Sequence, residues 1–260
     1  MSMRRDLRLT LRQIRSEFRS FWRNPAAAGF TFVFPLMFMV IFNLLFDQPY
    51  AGRGIEVNAA RFFTPAIIAL SVVSACFTNI AMGVVFAREE GILKRVRGTP
   101  LPAWSYLAGR IGNAIIVAAM LVVIVAAFGA VFYDVPMPGS TLPAFIVTLI
   151  VGAGSLCAIG LAATTLVPNE DAAPPVVNFM VLPLLFISDV FIPLDNAPAW
   201  LTTIANVFPI KHLSNSLLTS FIPGPAGGSG FVAGDLIVMG AWGVGAAIVA
   251  ARTFRWEPSR

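Results

Sequence analysis

Six long apolar runs constrain the fold of this 260-residue sequence more than any other feature. A helix crosses the hydrocarbon core of a bilayer, roughly 30 Å thick, with about 20 mostly apolar residues. The sequence is 57% hydrophobic and only 12% charged, whereas soluble domains carry about 25% charged residues. The pattern therefore predicts an all-α membrane protein in which residues 1–260 form a single transmembrane domain with six spans. We place the spans at 26–46, 62–87, 105–132, 142–167, 173–191 and 231–251.

The basic residues predict how these spans are oriented. Of 18 lysines and arginines, six spans place 15 on one side, in the N-terminal arm, the loop at 88–110 and the C-terminal tail. Cytoplasmic segments are enriched in such residues. We therefore expect both termini and residues 88–104 to be cytoplasmic, and 47–61, 133–141 and 192–230 to face outward. A seventh span at 199–221 is rejected because it would place Lys211 in hydrocarbon.

The N-terminal arm, residues 1–25, has the pattern of an amphipathic helix. Apolar and basic positions each recur at steps of three and four, as Leu7, Leu11, Ile14, Phe18 and Phe21, and as Arg8, Arg12, Arg15 and Arg19. Such a helix lies in the membrane interface with its guanidinium groups on anionic lipid head groups. A simple topology anchor and a helix that also contacts a cytoplasmic partner are both compatible with this pattern.

Residues 88–104 predict a short charged helix in the loop between spans two and three. Ile92, Leu93 and Val96 form an apolar face, Glu90 and Lys94 have the spacing of an ion pair, and Gly98 and Pro100 supply stop signals. On the residues alone, a charged loop that only fixes topology is the favoured alternative.

Three further features complete the pattern. The segment 192–230 is too apolar for a free loop and too polar to span, which favours re-entrant helices on the outer side. Small residues at steps of four predict close helix packing, at Gly154, Ala158 and Ala162 and at Ala241 and Gly245. Cys76 and Cys157 lie in apolar runs, and the single histidine excludes a His-based cluster, so we predict no disulfide and no metal.

Two blocks of the sequence resemble the ABC type-2 exporter permease family, in particular the daunorubicin-resistance type of bacterial drug permease. The first is Glu89-Glu90-Gly91-Ile92-Leu93-Lys94-Arg95 followed by Gly98-Thr99-Pro100-Leu101-Pro102, Leu107 and Gly109-Arg110. The second is Phe191-Ile192-Pro193-Leu194 followed by Pro198-Ala199-Trp200-Leu201, Asn206 and Pro209. The pair Ser188-Asp189 departs from the Ser-Gly that is frequent in the family.

The resemblance implies a multi-pass protein of the bacterial plasma membrane that forms a dimer with a second copy or a sister permease. It also implies two separate ATPase subunits that bind ATP and Mg²⁺, while this chain binds no cofactor. Residues 88–101 would then form the helix that couples to the ATPase. The implied coupling residues are Glu89, Glu90, Gly91, Ile92, Leu93, Lys94, Val96, Arg97, Pro100 and Leu101.

The family also implies that spans two and five line a central cavity. The candidate lining residues are Ser71, Ser74, Thr78, Asn79, Met82, Asn178, Val181, Leu185 and Ser188. These faces are mainly apolar, which favours a hydrophobic drug or lipid-like substrate, with drug efflux and antibiotic resistance as the expected role.

No phosphate-binding loop of the form Gly-x-x-x-x-Gly-Lys-Ser/Thr occurs in the sequence. We therefore expect a transport subunit that is not itself an enzyme. The basic residues follow the membrane topology, so we expect no binding of nucleic acid. Export of a polysaccharide or glycolipid, and a channel or scaffold without an ATPase, are the alternatives.

Overall fold

The computed structural model describes residues 3–46, 50–52, 55–99, 101–191, 197–223 and 228–254. These residues form helices, as the fold class predicts, and one small hairpin. The helices are α1 (Met3–Arg23), α2 (Pro25–Leu45), α3 (Ala59–Val72), a π-helical segment (Val73–Thr78), α4 (Asn79–Glu89), α5 (Ile92–Arg97), α6 (Ala103–Tyr133), α7 (Leu142–Ala163), α8 (Ala173–Phe186), α9 (Ala199–Ala205), α10 (Pro209–Phe221) and α11 (Ala233–Thr253). The antiparallel hairpin pairs β1 (Tyr50–Gly52) with β2 (Ile55–Val57) between α2 and α3.

Five helical segments of the described chain are long and apolar enough to cross a membrane. They are Pro25–Leu45, Ala59–Glu89, Trp104–Tyr133, Leu142–Ala163 and Ala233–Thr253. The predicted fifth span is represented by α8, which has 14 residues and a length of about 21 Å. Its helix ends at Phe186, three residues after Pro183, and Asp189 then adopts a left-handed backbone with φ 55°. The stretch from α8 to Phe191 is therefore a short helix followed by a turn.

Span two, formed by α3, the π segment and α4, is the central helix of the chain. Its apolar stretch is 72% buried, against 17% for α2. α3 packs against α2, α6 and α10, whereas the π segment and α4 pack against α7. Cys76 of the π segment and Cys157 of α7 are both free and buried. Span two thus packs against α2, α6, α7, α8 and α10.

The helix α1 lies along the start of α6. Thr10 and Ser105 share a hydrogen bond of 2.9 Å. Gly109 and Gly112 of α6 leave room for the side chains of Gln13 and Ile14. Leu7 and Leu11 remain about 60% exposed, at 62% and 59%. The apolar residues of this amphipathic helix are therefore divided between α6 and the surface that would face lipid.

The packing faces predicted from small residues are wrong. Gly154 and Gly245 face open space, because a Cβ added at either glycine would have no neighbouring atom within 4 Å. Close approach occurs instead at Gly160, where a Cβ would lie 2.9 Å from the carbonyl oxygen of Phe77, and at Gly243, against Ser155. Ala241 and Gly245 line an apolar groove of about 900 Å³ between α7, α8 and α11. Spacing alone predicted a small-residue face but not which face meets a neighbour.

Candidate functional site

One face of span two is open along its second half. Every residue from Phe62 to Val73 is buried. From there on, the residues that are at least partly exposed recur at steps of three, four and five, which places them on one side of the helix. They are Ser74, Thr78, Asn79, Met82, Gly83 and Phe86. We call these six residues the open face.

The open face begins in the π-helical segment Val73–Thr78. Its wider turn is visible where the N–H of Asn79 donates to the carbonyl oxygen of Ser74, five residues earlier. Gly160 of α7 approaches the same segment at Phe77. Short π segments within α-helices occur frequently at functional sites. No residue type in this stretch signals a π turn, so the sequence could not have predicted it.

The structure separates the candidate lining residues into two groups. Ser74, Thr78, Asn79 and Met82 lie together on the open face, and Asn178 is exposed on α8. The others are in the interior: Ser71, Val181, Leu185 and Ser188. Ser71 donates to the carbonyl oxygen of Ile67 at 2.7 Å. The hydroxyl of Ser188 is buried without a hydrogen-bond partner among the described residues.

The predicted coupling helix is shorter than expected. α4 continues to Glu89, Gly91 has φ 70°, and α5 contains only Ile92–Arg97. The left-handed residue separates the end of α4 from the start of α5. Glu90 and Lys94 therefore do not lie in one helix, and the prediction that they pair along a helix is wrong. Pro100 lies outside the described residues, as do residues 192–196 and 224–227 of the outer segment.

Leu93 anchors α5 on the transmembrane bundle. It is 0% exposed and belongs to the main hydrophobic core, with Ile92 and Val96 half-buried beside that core. Leu93, one of the coupling residues that the resemblance implies, therefore lies in this chain's own core and is not available to a partner at the surface. The exposed residues of the segment are Glu90, Lys94, Arg95, Gly98 and Thr99, while Glu89, Gly91 and Leu101 are half-buried. The side chain of Arg97 lies outside what the structure describes. Any partner of α5 meets charged groups and backbone first.

Arg88, at the end of α4, fastens the coupling segment to α7. Its side chain is 4% exposed. Its Nη atoms donate to the carbonyl oxygens of Thr164 at 3.1 Å and Val167 at 2.7 Å, and its Nε donates to Glu89 at 2.8 Å. Carbonyl groups at a helix C-terminus lack partners within the helix and carry partial negative charge. Arg88 thus caps α7 from a different helix, a contact that the sequence pattern did not indicate.

Two ion pairs hold α10 at the opposite end of the bundle. Lys211 pairs with Asp189, the residue that departs from the family pattern, just beyond α8. His212 lies 2.6 Å from Asp235 at the start of α11, measured from Nδ1 to Oδ1. Asn215 and Ser216 donate to the other carboxylate oxygen of Asp235, at 2.5 and 3.0 Å. Successive residues of α10 therefore bind the ends of two different helices.

The surroundings of His212 favour its doubly protonated form. Nε2 lies 2.8 Å from the carbonyl oxygen of Asn206, and Nδ1 lies beside the carboxyl group of Asp235. A carbonyl and an ionised carboxylate accept hydrogen bonds, so a proton on each ring nitrogen satisfies both partners. The hydrogen bond to Asp235 accordingly raises the pKa of His212, against the opposing effect of burial.

Comparison with known proteins places this arrangement in a family. The sequence profile described as ABC-2 type transporter matches residues 9–222. The chain is 29% identical over 154 residues to the "Probable multidrug ABC transporter permease YbhR" of Escherichia coli K12, covering 59% of this chain and 42% of that one. It is 28% identical over 184 residues to the "Putative transport permease ycf38" of Cyanophora paradoxa, covering 68% and 62%.

A third relative is matched over more of its length. The "Inner membrane transport permease YadH" of Escherichia coli K12 is 21% identical over 195 residues, covering 74% of this chain and 75% of that one. By contrast, the chain spans less than half of the length of YbhR. The profile match includes the π segment, the coupling segment, Arg88 and both ion-pairing residues of α10.

Proposed function

The chain belongs to the ABC-2 type transporter family, and we propose that it is the membrane-spanning permease subunit of an ATP-driven exporter. The observation that supports this most directly is the profile match across residues 9–222, which contains the coupling segment in full. The names of YbhR and YadH, a multidrug ABC transporter permease and an inner membrane transport permease, support the same role. We place it in a bacterial inner membrane with both termini in the cytoplasm.

The substrate we propose is a hydrophobic or amphipathic drug or lipid-like molecule, and its route is the open face of span two. Met82 and Phe86 supply apolar contact there, and Ser74, Thr78 and Asn79 supply hydrogen-bonding groups. Apolar lining with a few polar groups is typical of sites for small amphipathic ligands. A second permease copy, or a sister permease, would cover this face and enclose a cavity. Drug efflux, and antibiotic resistance through it, follow from this substrate class.

Coupling to ATP hydrolysis would run through α5. We propose that two separate ATPase subunits bind ATP and Mg²⁺, and that each docks on the exposed residues of one α5. Because Leu93 and Arg88 fasten α5 to the core and to α7, displacement of α5 would move the cytoplasmic ends of spans two and four together. Rigid-body movement of packed helices can then exchange inward and outward access.

The proposal is tested by reconstituting the chain with its ATPase in liposomes and measuring ATP-dependent movement of candidate amphipathic drugs. The chain should raise transport only with an active ATPase, and a Leu93→Ala, Glu90→Lys double variant should hydrolyse ATP with little transport. Arg252→Gln, an exposed arginine at the end of α11, is the matched control. Equal transport without ATP, or with the double variant, would contradict the proposed function.

A further inference from the structure

The open face of span two carries a cation that comes from a different helix. Arg110 lies two turns into α6, and its guanidinium extends over Gly83 of α4. A Cβ on Gly83 would lie only 2.6 Å from Nη1 of Arg110 and 3.8 Å from its Cζ. Glycine at this position therefore makes the space in which the guanidinium lies, next to Asn79 on the same face.

The two ends of this guanidinium have different surroundings. Nε donates to the hydroxyl of Tyr106 at 2.9 Å and lies 3.8 Å from Oε1 of Glu17. The same Glu17 oxygen accepts a hydrogen bond of 2.9 Å from Gln13. Within the described residues, neither Nη atom donates to a protein group. The Nε edge is thus held by α1 and α6, and the Nη edge is left with donors directed at the open face.

A ligand on this face would contact apolar side chains and a cationic group next to each other. Met82 and Phe86 offer apolar surface, and Arg110 offers charged donors beside them. Hydrogen bonds between a guanidinium and a carboxylate or phosphate are stronger than those to neutral acceptors. A neutral acceptor at the same place would form the weaker kind of hydrogen bond, and a ligand without an acceptor would shield the Nη donors from water without replacing their hydrogen bonds, which is unfavourable.

We propose that Arg110 forms an anion subsite on the open face, which selects amphipathic molecules that carry a carboxylate, phosphate or sulfate. This inference rests on the proposed function, because it assumes that the substrate passes along the open face. Gly83 is a positioning residue for this subsite. The anion can belong to a mobile amphiphile or to the head group of a bilayer lipid, since the chemistry is the same.

The test uses the purified full chain in nanodiscs of phosphatidylcholine and two fluorescent probes, 11-(dansylamino)undecanoic acid and its carboxamide. Binding beyond that of empty nanodiscs should be about tenfold tighter for the acid, a ratio that one charge-assisted hydrogen bond supports. Arg110→Gln should abolish the preference, so that the acid and the amide bind with equal affinity. Gly83→Ala should weaken it by displacing the flexible guanidinium, and Arg252→Gln should retain it.

The outcomes are distinct. Equal affinity for both probes in the unaltered chain, or an undiminished preference in Arg110→Gln, would overturn the subsite. If Arg110→Gln fails to fold, Gly83→Ala and Arg110→Met decide the matter. Competition by added phosphatidylglycerol would assign the site to a lipid head group, and its absence to a mobile amphiphile. Because binding needs no ATPase, failure of ATP-dependent transport with an intact acid preference would reject the exporter and not the subsite.

Discussion

Replacing Arg88 with methionine should release the end of α4 from the C-terminus of α7. Methionine matches the aliphatic part of arginine and ends short of the guanidinium, so the change removes the donors and keeps the packing of the stem. The bonds to the carbonyl oxygens of Thr164 and Val167 lie in a site where the side chain of Arg88 is 4% exposed. The carbonyl groups would remain buried and Glu89 would lose its cation. Loss of a buried charged group with such partners costs about 3–5 kcal/mol.

The measurement is the free energy of unfolding in mixed micelles titrated with SDS, together with hydrogen exchange over residues 161–168. The amides of Thr165 and Leu166, which donate to Ala162 and Ala163 at the end of α7, should exchange faster in Arg88→Met. Arg88→Lys should fall between the two proteins, because an ammonium keeps the charge but not the fork that reaches several carbonyls.

The control for this prediction is Arg95→Gln. Arg95 is exposed and makes one hydrogen bond of 3.2 Å, to the carbonyl oxygen of Glu90, so its replacement should change stability by less than about 0.5 kcal/mol. If Arg88→Met lost no more than this and exchange at the end of α7 were unchanged, Arg88 would not hold the two helices together.

Three other predictions concern the topology, the open face and His212. A cysteine introduced at Arg95 should be labelled only from the cytoplasmic side and one at Ser229 only from outside, and outside labelling of position 95 would reverse the topology. Thr78→Trp should alter which substrates are transported without loss of assembly, and normal selectivity in this variant would show that the open face is not part of the route. Leu185→Trp, at a site that is 2% exposed, should instead destabilise the chain by about 1–3 kcal/mol. The hydrogen bond to Asp235 raises the pKa of His212, so the stabilisation from this bond is complete below the unfolded pKa, near 6.5, and is lost as the pH rises through the folded pKa. The difference in thermal midpoint between the unaltered chain and His212→Gln should therefore narrow with rising pH. A constant difference would refute the imidazolium.

Long helices could be predicted from the sequence because their signal is carried by many residues. The runs at 26–46, 142–167 and 231–251 agree with α2, α7 and α11 to within a few residues, since each averages a strong apolar preference over its length. The helix predicted within 88–104 extends over fewer residues than expected. Its boundary depends on the single backbone angle of Gly91, and glycine accepts either sign of φ.

Contacts between distant segments could not be predicted in the same way. Arg88 counted only as one positive charge in a cytoplasmic loop, yet its partners stand 76 and 79 residues further along. Leu93 fitted the apolar face of a helix, but the periodicity does not say whether that face meets the chain's own core or another protein. The π segment has the composition of any buried helix. Such features depend on how helices pack, and one sequence does not encode that packing locally.

The left-handed turn at Asp189 makes two distant positions dependent on each other. A glycine there would adopt φ 55° at little cost, but it would leave the ammonium of Lys211, whose side chain is 15% exposed, without the carboxylate that pairs with it. Exchanging Lys211 alone would in turn remove the ammonium that pairs with a carboxylate on a turn better suited to glycine. Relatives with glycine at this turn are therefore expected to carry an uncharged residue at the position of Lys211, and the two sites should change together during evolution.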